Sequence, residues 1–131
     1  MIDNTPQVPV SWGELIDKIT ILDIKSIRIT SATAVANVRL ELDLLNEKAS
    51  QLLLSEPDLL KLKDALVLVN EALWVIEDKI RDKETAADFG SEFIDLARSV
   101  YKTNDRRAAI KREINLLLKS KLMEEKCYSG S

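Results

Sequence analysis

In the stretch YKTNDRRAAIKREIN, residues 101–115, Asn104, Arg107, Lys111 and Asn115 recur at steps of three and four. They continue the line begun by Phe93, Leu96 and Val100, where a helix carries its apolar stripe. A guanidinium and an ammonium on that line can neutralise buried carboxylates, or they can converge with the amides on an anionic ligand. Carboxylates that could meet them stand on two other helical segments. At about 100° per residue, Asp23 falls within roughly 20° of Trp12, between Ile16 and Ile19. Asn70, Glu77 and Glu84 step by seven beside a leucine seam, with Trp74 and Arg81 on the same side. The expected pairing is therefore Asp23 and Glu77 with Arg107 and Lys111, the asparagines completing the hydrogen bonds.

Two readings of this cluster stand side by side. As a lock, it fixes helix register and oligomeric state, as single polar residues do in coiled-coil cores. As a pocket floor, it holds a small anion or carboxylate, with Glu77 or Asp23 as acid or base. Arg106 and Arg112 point elsewhere and read as solvent-side residues.

Other constellations carry less chemistry. Glu77, Asp78, Asp82 and Glu84 could gather a magnesium ion, but Asp78 and Asp82 lie on a face rich in charge, and magnesium sites usually borrow substrate phosphates. Arg106, Arg107, Lys111, Arg112, Lys119 and Lys121 form a basic run, broken by Glu113, with no interleaved aromatic beyond Tyr101. Such a run reads as a solvated helix face rather than a nucleic-acid surface. DFG at 88–90 lacks every companion element of a kinase. The chain has no histidine and one cysteine, Cys127, so imidazole or thiolate metal sites and Cys/His nucleophile pairs are excluded. No cofactor and no metal ion are expected.

The elements that position these residues are helices. Pro6 and Pro9 make residues 1–10 an extended lead-in, and SWGE offers Ser11 as N-cap with Glu14 as its capping-box partner. Trp12, Leu15, Ile16, Ile19 and Leu22 give the first helix, over about 11–29. Val35, Val38, Leu42, Leu45, Ala49 and Leu52 give a second over 33–54. SEPD restarts the chain, with Ser55 as candidate N-cap and Pro57 in the first turn, and Leu59, Leu62, Leu66, Val69, Leu73, Ile76 and Ile80 carry a third helix over 57–86. Gly90 suits a left-handed stop and Ser91 a fresh cap for a fourth helix over 91–119, with a kink open near Thr103. Residues 120–131 form a polar tail.

The matched seams predict an all-α fold: four long helices in an antiparallel bundle, one domain over 1–131. The composition agrees, with 46% hydrophobic and 31% charged residues and only three glycines and three prolines. A net charge of −3 leaves no electrostatic footprint for nucleic acid, and no basic-plus-apolar leader or membrane-length run is present. A cytoplasmic protein follows, and helices of this length point to association as a homodimer or other homo-oligomer.

The strings SWGELIDKITILDIK, NEALWVIEDKIRDKE, FIDLARSVYKTNDRRAAIKREIN and the closing EEKCY resemble a family of small bacterial and phage proteins known only as a domain of unknown function. The resemblance runs from Ser11 to Tyr128 and implies one independent domain. Within its motifs fall Asn70, Trp74, Glu77, Asp78, Thr103, Asn104, Asp105, Arg106 and Arg107, and it implies no catalytic role for any of them. Ile16 and Asp17 are also similar to an ID motif of the all-helical chorismate mutases, whose pocket sets arginines and a lysine against a dicarboxylate. The arginine of their first helix has no counterpart here. The reading is thus a helical assembly or protein-interaction module without catalytic turnover; the alternative is a small-anion or carboxylate-binding enzyme using Asn70, Glu77, Asn104, Arg107 and Lys111.

Overall fold

The computed structural model describes residues 4–125, so Cys127 and the end of the expected tail lie outside the described residues. Four helices follow one another: α1 (Trp12–Arg28), α2 (Ala32–Ser55), α3 (Pro57–Thr85) and α4 (Ser91–Leu117). No strand occurs among the described residues. Each helix carries its predicted apolar seam, and α4 runs through Thr103 without a break. α1 packs beside α2 and α3 beside α4 across short turns, so each of these pairs is antiparallel. α1 also touches α3 and α4, whereas α2 and α4 do not meet.

The core gathers at one end of the bundle. Ile16, Ile19, Ala49, Leu59, Leu66 and Ile114 are fully buried, with Trp12, Leu15, Leu42, Leu45, Leu62 and Ile110 packed around them. They come from the first half of α1, the second half of α2, the start of α3 and the end of α4. Toward the opposite end the third and fourth layers run out. None of residues 71–102 is fully buried: past Trp74, which Arg28 of α1 covers, the rest of α3 and the first half of α4 pack mainly on each other as a two-helix arm. Its seam residues Ile76, Ile80, Phe93, Leu96 and Val100 are half-buried. At the tip, Phe89 and Phe93 meet edge to face with centroids 5.2 Å apart, and Lys83 bridges Asp88 and Glu92.

Several local expectations are corrected by the backbone. The left-handed residue after α3 is Ala87 (φ 52°), not Gly90, which caps α4 in an extended conformation (φ −77°) while Ser91 is already helical. The amides of Ala87 and Asp88 bond to the carbonyls of Glu84 and Lys83, and this pair of bonds closes the helix without glycine. Lys119 (φ 52°) repeats the motif after α4, with Ser120 N–H donating to the Asn115 carbonyl at 2.8 Å. Ser55 ends α2 rather than capping α3; Glu56 is the single residue between them and Pro57 opens α3.

The start of α1 is held by a helix almost a whole chain away. Ser11 Oγ accepts from Glu14 N–H at 3.1 Å, the predicted cap. Gly13 N–H donates to Asn115 Oδ1 at 2.6 Å and Trp12 N–H to Ser120 Oγ at 3.3 Å. Three N–H groups that a helix start leaves without intrahelical partners are thus satisfied, two of them from the end of α4. This closeness demands glycine: a Cβ on Gly13 would run into the Lys111 carbonyl oxygen and stand 2.9 Å from Asn115 Oδ1.

Alanine is ordinarily the better helix former, so Gly13→Ala would stabilise an exposed helix. Here the expected sign is reversed: the variant should lose about 2 kcal/mol or more, since the obstructing carbonyl is backbone and cannot rotate away. Denaturant unfolding of the pair measures it, and an unchanged or raised midpoint would contradict the close approach.

Candidate functional site

The four helices bring one polar cluster into the interior, and its centre is Asp17. This side chain is 1% exposed. Arg107 Nε reaches Asp17 Oδ1 at 2.9 Å and Oδ2 at 3.1 Å, and Nη2 of the same guanidinium also bonds Oδ2. Asn70 Nδ2 donates to Asp17 Oδ1 at 2.9 Å and to Thr20 Oγ1 at 2.8 Å, while Thr20 Oγ1 donates to the Asp17 carbonyl at 2.7 Å. One carboxylate thus ties α1 to α3 and α4. No fully buried side-chain polar atom among the described residues lacks a partner, which is the condition under which a buried charge pair is tolerated. The hydrogen bond to Asp17 lifts the Arg107 guanidinium above its ordinary value, outweighing the burial that opposes it, so it stays cationic.

Lys111 lies one turn further along α4 and serves a second group of carboxylates. Its Nζ bonds Glu14 Oε2 at 2.7 Å and Glu124 Oε1 at 2.8 Å, with Asp17 Oδ2 at 4.0 Å. Burial pulls the Lys111 ammonium down, but hydrogen bonds to Glu124 and Glu14 and their charges more than reverse this and leave its pKa raised. The Glu124 carboxyl is held below its ordinary value by its hydrogen bond with Glu14 and then by Lys111. Through Lys111 the segment after α4 is fastened back onto the start of α1.

Of the six residues expected to cluster, Asn70 and Arg107 meet at Asp17, and Lys111 stands at its edge. Asp23 does not join them: it lies 3.8 Å from Lys63, with two fifths of its side chain exposed. Glu77 does not pair with either cation; it sits exposed on the wall of a neighbouring cleft with Asn104. Glu14 offers its carboxylate to Lys111, so the box with Ser11 is closed only on the serine side. Asp17 escaped the helical projection because α1 has more than one buried face. With α2 on one side and α3 and α4 on the other, Gly13, Asp17 and Thr20 occupy a second line, about 100° around from Ile16 at Asp17. The signal available was Gly13-x-x-x-Asp17-x-x-Thr20: a glycine inside a helix, followed on the same line by two small polar residues.

Beside the cluster a cleft of about 580 Å³ opens between α1, α3 and α4. Asn70 and Arg107 form its inner end with Asn104, while Ile21, Ile24, Leu73 and Trp74 give apolar walls and Glu77, Asp78 and Arg81 its outer side. Arg28 lies over the Trp74 ring, 5.8 Å from the centroid. No group of three His, Cys, Asp or Glu side chains among the described residues could hold a metal ion, so Glu77, Asp78, Asp82 and Glu84 do not gather.

Over residues 6–131 the chain matches a protein family described as Family of unknown function (DUF6165). The chain belongs to this family. No curated protein and no solved structure matches it. The DUF6165 match covers nearly the full sequence and assigns none of its residues a role.

Removing one member of the Asp17 pair should be costly in proportion to what remains buried. Arg107→Ala strands a carboxylate that is 1% exposed and should lose about 3–5 kcal/mol. Asp17→Asn should cost less, because the Arg107 side chain, 28% exposed, can turn to water. Urea titration of the two variants tests this order. Glu124 sets a pH limit on the docked segment. Its pKa is lowered from 4.5, so its contribution is complete above that value and disappears as pH falls through the lower folded value. For Lys111 the pKa is raised from 10.5, and its contribution is lost only above that. The amide chemical shifts of residues 122–125 should therefore stay constant between these limits and move toward unfolded values in acid before those of the α1 and α3 core amides do.

Proposed function

We propose that this chain is a helical assembly module without catalytic turnover, which associates with further copies of itself through helix faces that the bundle leaves half covered. The observation that carries this reading is the arm: residues 71–102 contain no fully buried side chain although they hold a continuous apolar seam. Outward of that seam, Val75, Ile94 and Tyr101 are 40%, 47% and 57% exposed. On α2 only Ala49 is buried, and Leu40, Leu44 and Leu54 face outward. Long helices with exposed apolar lines are the material of helix-against-helix association, as in coiled coils.

The polar cluster supports the same reading as a lock. Arg107 is engaged by Asp17 along its Nε–Nη2 edge, and Lys111 by Glu14 and Glu124, so the charge of both cations is answered within the fold. A small-anion or mutase-like pocket has correspondingly little to support it. No helix among the described residues is long and apolar enough to cross a membrane. A cytoplasmic setting is supported by the single cysteine, which leaves no intrachain disulfide to form.

Sedimentation equilibrium at micromolar concentration should give a mass of two or more chains, and Val75→Glu combined with Ile94→Glu should return it toward one chain while far-UV circular dichroism keeps its helical signal and the melting temperature ceases to depend on concentration. A strict monomer for the natural sequence would refute the proposal.

A further inference from the structure

The cleft beside Asp17 keeps polar groups that the fold itself does not use. Arg107 meets Asp17 along the edge formed by Nε and Nη2; Nη1 makes no hydrogen bond among the described residues, which leaves the end of the fork open. Asn70 gives its amide hydrogens to Asp17 and Thr20, and among the described residues its Oδ1 accepts none. Since no fully buried polar atom is unpartnered, that oxygen touches the open space of the cleft. Among the described residues, the Asn104 side-chain amide on the same inner end makes no hydrogen bond, and Glu77 and Asp78 on the outer side form no ion pair. Donors at Arg107 and Asn104 therefore line the same cleft as an acceptor at Asn70, with carboxylates at Glu77 and Asp78 and apolar walls at Leu73 and Trp74.

Charge decides what such a cleft can take. Arg107, Arg81 and Arg28, the last lying over Trp74, are set against Asp17, Glu77 and Asp78, so the charges balance, the surroundings are not cationic and a bare phosphate or dicarboxylate gains little. A ligand carrying both signs matches the pattern. We infer that the cleft binds a free α-amino acid with an apolar side chain: its carboxylate on the open fork of Arg107 and the Asn104 amide, and its ammonium on Asn70 Oδ1 within the field of Glu77. The side chain then lies against Leu73 and Trp74. A cavity of about 580 Å³ has room for this and for bridging water. The inference is independent of self-association.

Titration of the full chain with L-leucine, followed by two-dimensional amide and indole NMR, tests it. Saturable shifts are expected at the Trp74 indole and the Asn104 side-chain amide. N-acetyl-leucine, which lacks the ammonium, and leucinamide, which lacks the carboxylate, should each bind at least about tenfold more weakly. Asn104→Ala and Glu77→Gln should weaken leucine by a similar factor while leaving the melting temperature unchanged, because neither residue belongs to the Asp17 lock. Absence of saturable shifts with leucine at millimolar concentration overturns the inference. So does equal binding of N-acetyl-leucine or of inorganic phosphate, which would make the cleft a simple anion site. Sedimentation on the same samples reports the assembly separately, so failure of one reading is distinguishable from failure of the other.

Discussion

A carboxylate with almost no contact with water has to be compensated on every side, and Asp17 imposes that demand on the rest of the bundle. Its two oxygens take the side of a guanidinium from α4 and an amide from α3, and Thr20 of its own helix closes the ring of hydrogen bonds. Apolar side chains can slide by a turn and still bury similar area, but this arrangement is satisfied in one register only. The seams supply the gain from burial, and the Asp17 group selects which of several similar packings is adopted. That division explains why polar residues of three helices were placed beside leucine seams.

The same demand makes the molecule lopsided. Close helix contact, full burial and nearly all long-range hydrogen bonds lie where α1 crosses α4, whereas the arm is held by a two-helix seam and by ion pairs at its tip. Exposed ion pairs such as Lys83 with Glu92 are worth little individually. Local opening should thus be easiest in the arm and hardest around Gly13, Ile16 and Ile114. The cleft lies at the boundary, with rigid Asn70 and Arg107 at one end and the less supported Glu77 and Arg81 at the other.

Periodicity made the helices legible, because each has a seam with alternating steps of three and four and its ends carry proline or capping residues. The anomalous positions Asn70, Arg107 and Lys111 were legible too, since a cation or amide on a leucine line contradicts the pattern around it. Their carboxylate was not. A single projection assigns one buried face to each helix, and for α1 that face is centred near Asp23 and leaves Asp17 off it. α1 touches all three other helices, so its buried arc is much wider than one stripe. The αL positions were missed for a related reason: Ala87 and Lys119 adopt positive φ under the pull of two closing hydrogen bonds each, and nothing in their side chains announces it.

The bonds that cap α1 from α4 also order events in time. Gly13 and Asn115 are separated by 102 residues, and Trp12 and Ser120 by 108. During synthesis the first helix emerges with its leading amides facing only water, and Asp17 has neither Arg107 nor Asn70 to meet. Closing so long a loop is slow and is rewarded only at its end. The cap on α1 therefore closes only after Asn115 and Ser120 have been made, and a chain halted before Asn115 leaves the Trp12 and Gly13 amides without these partners.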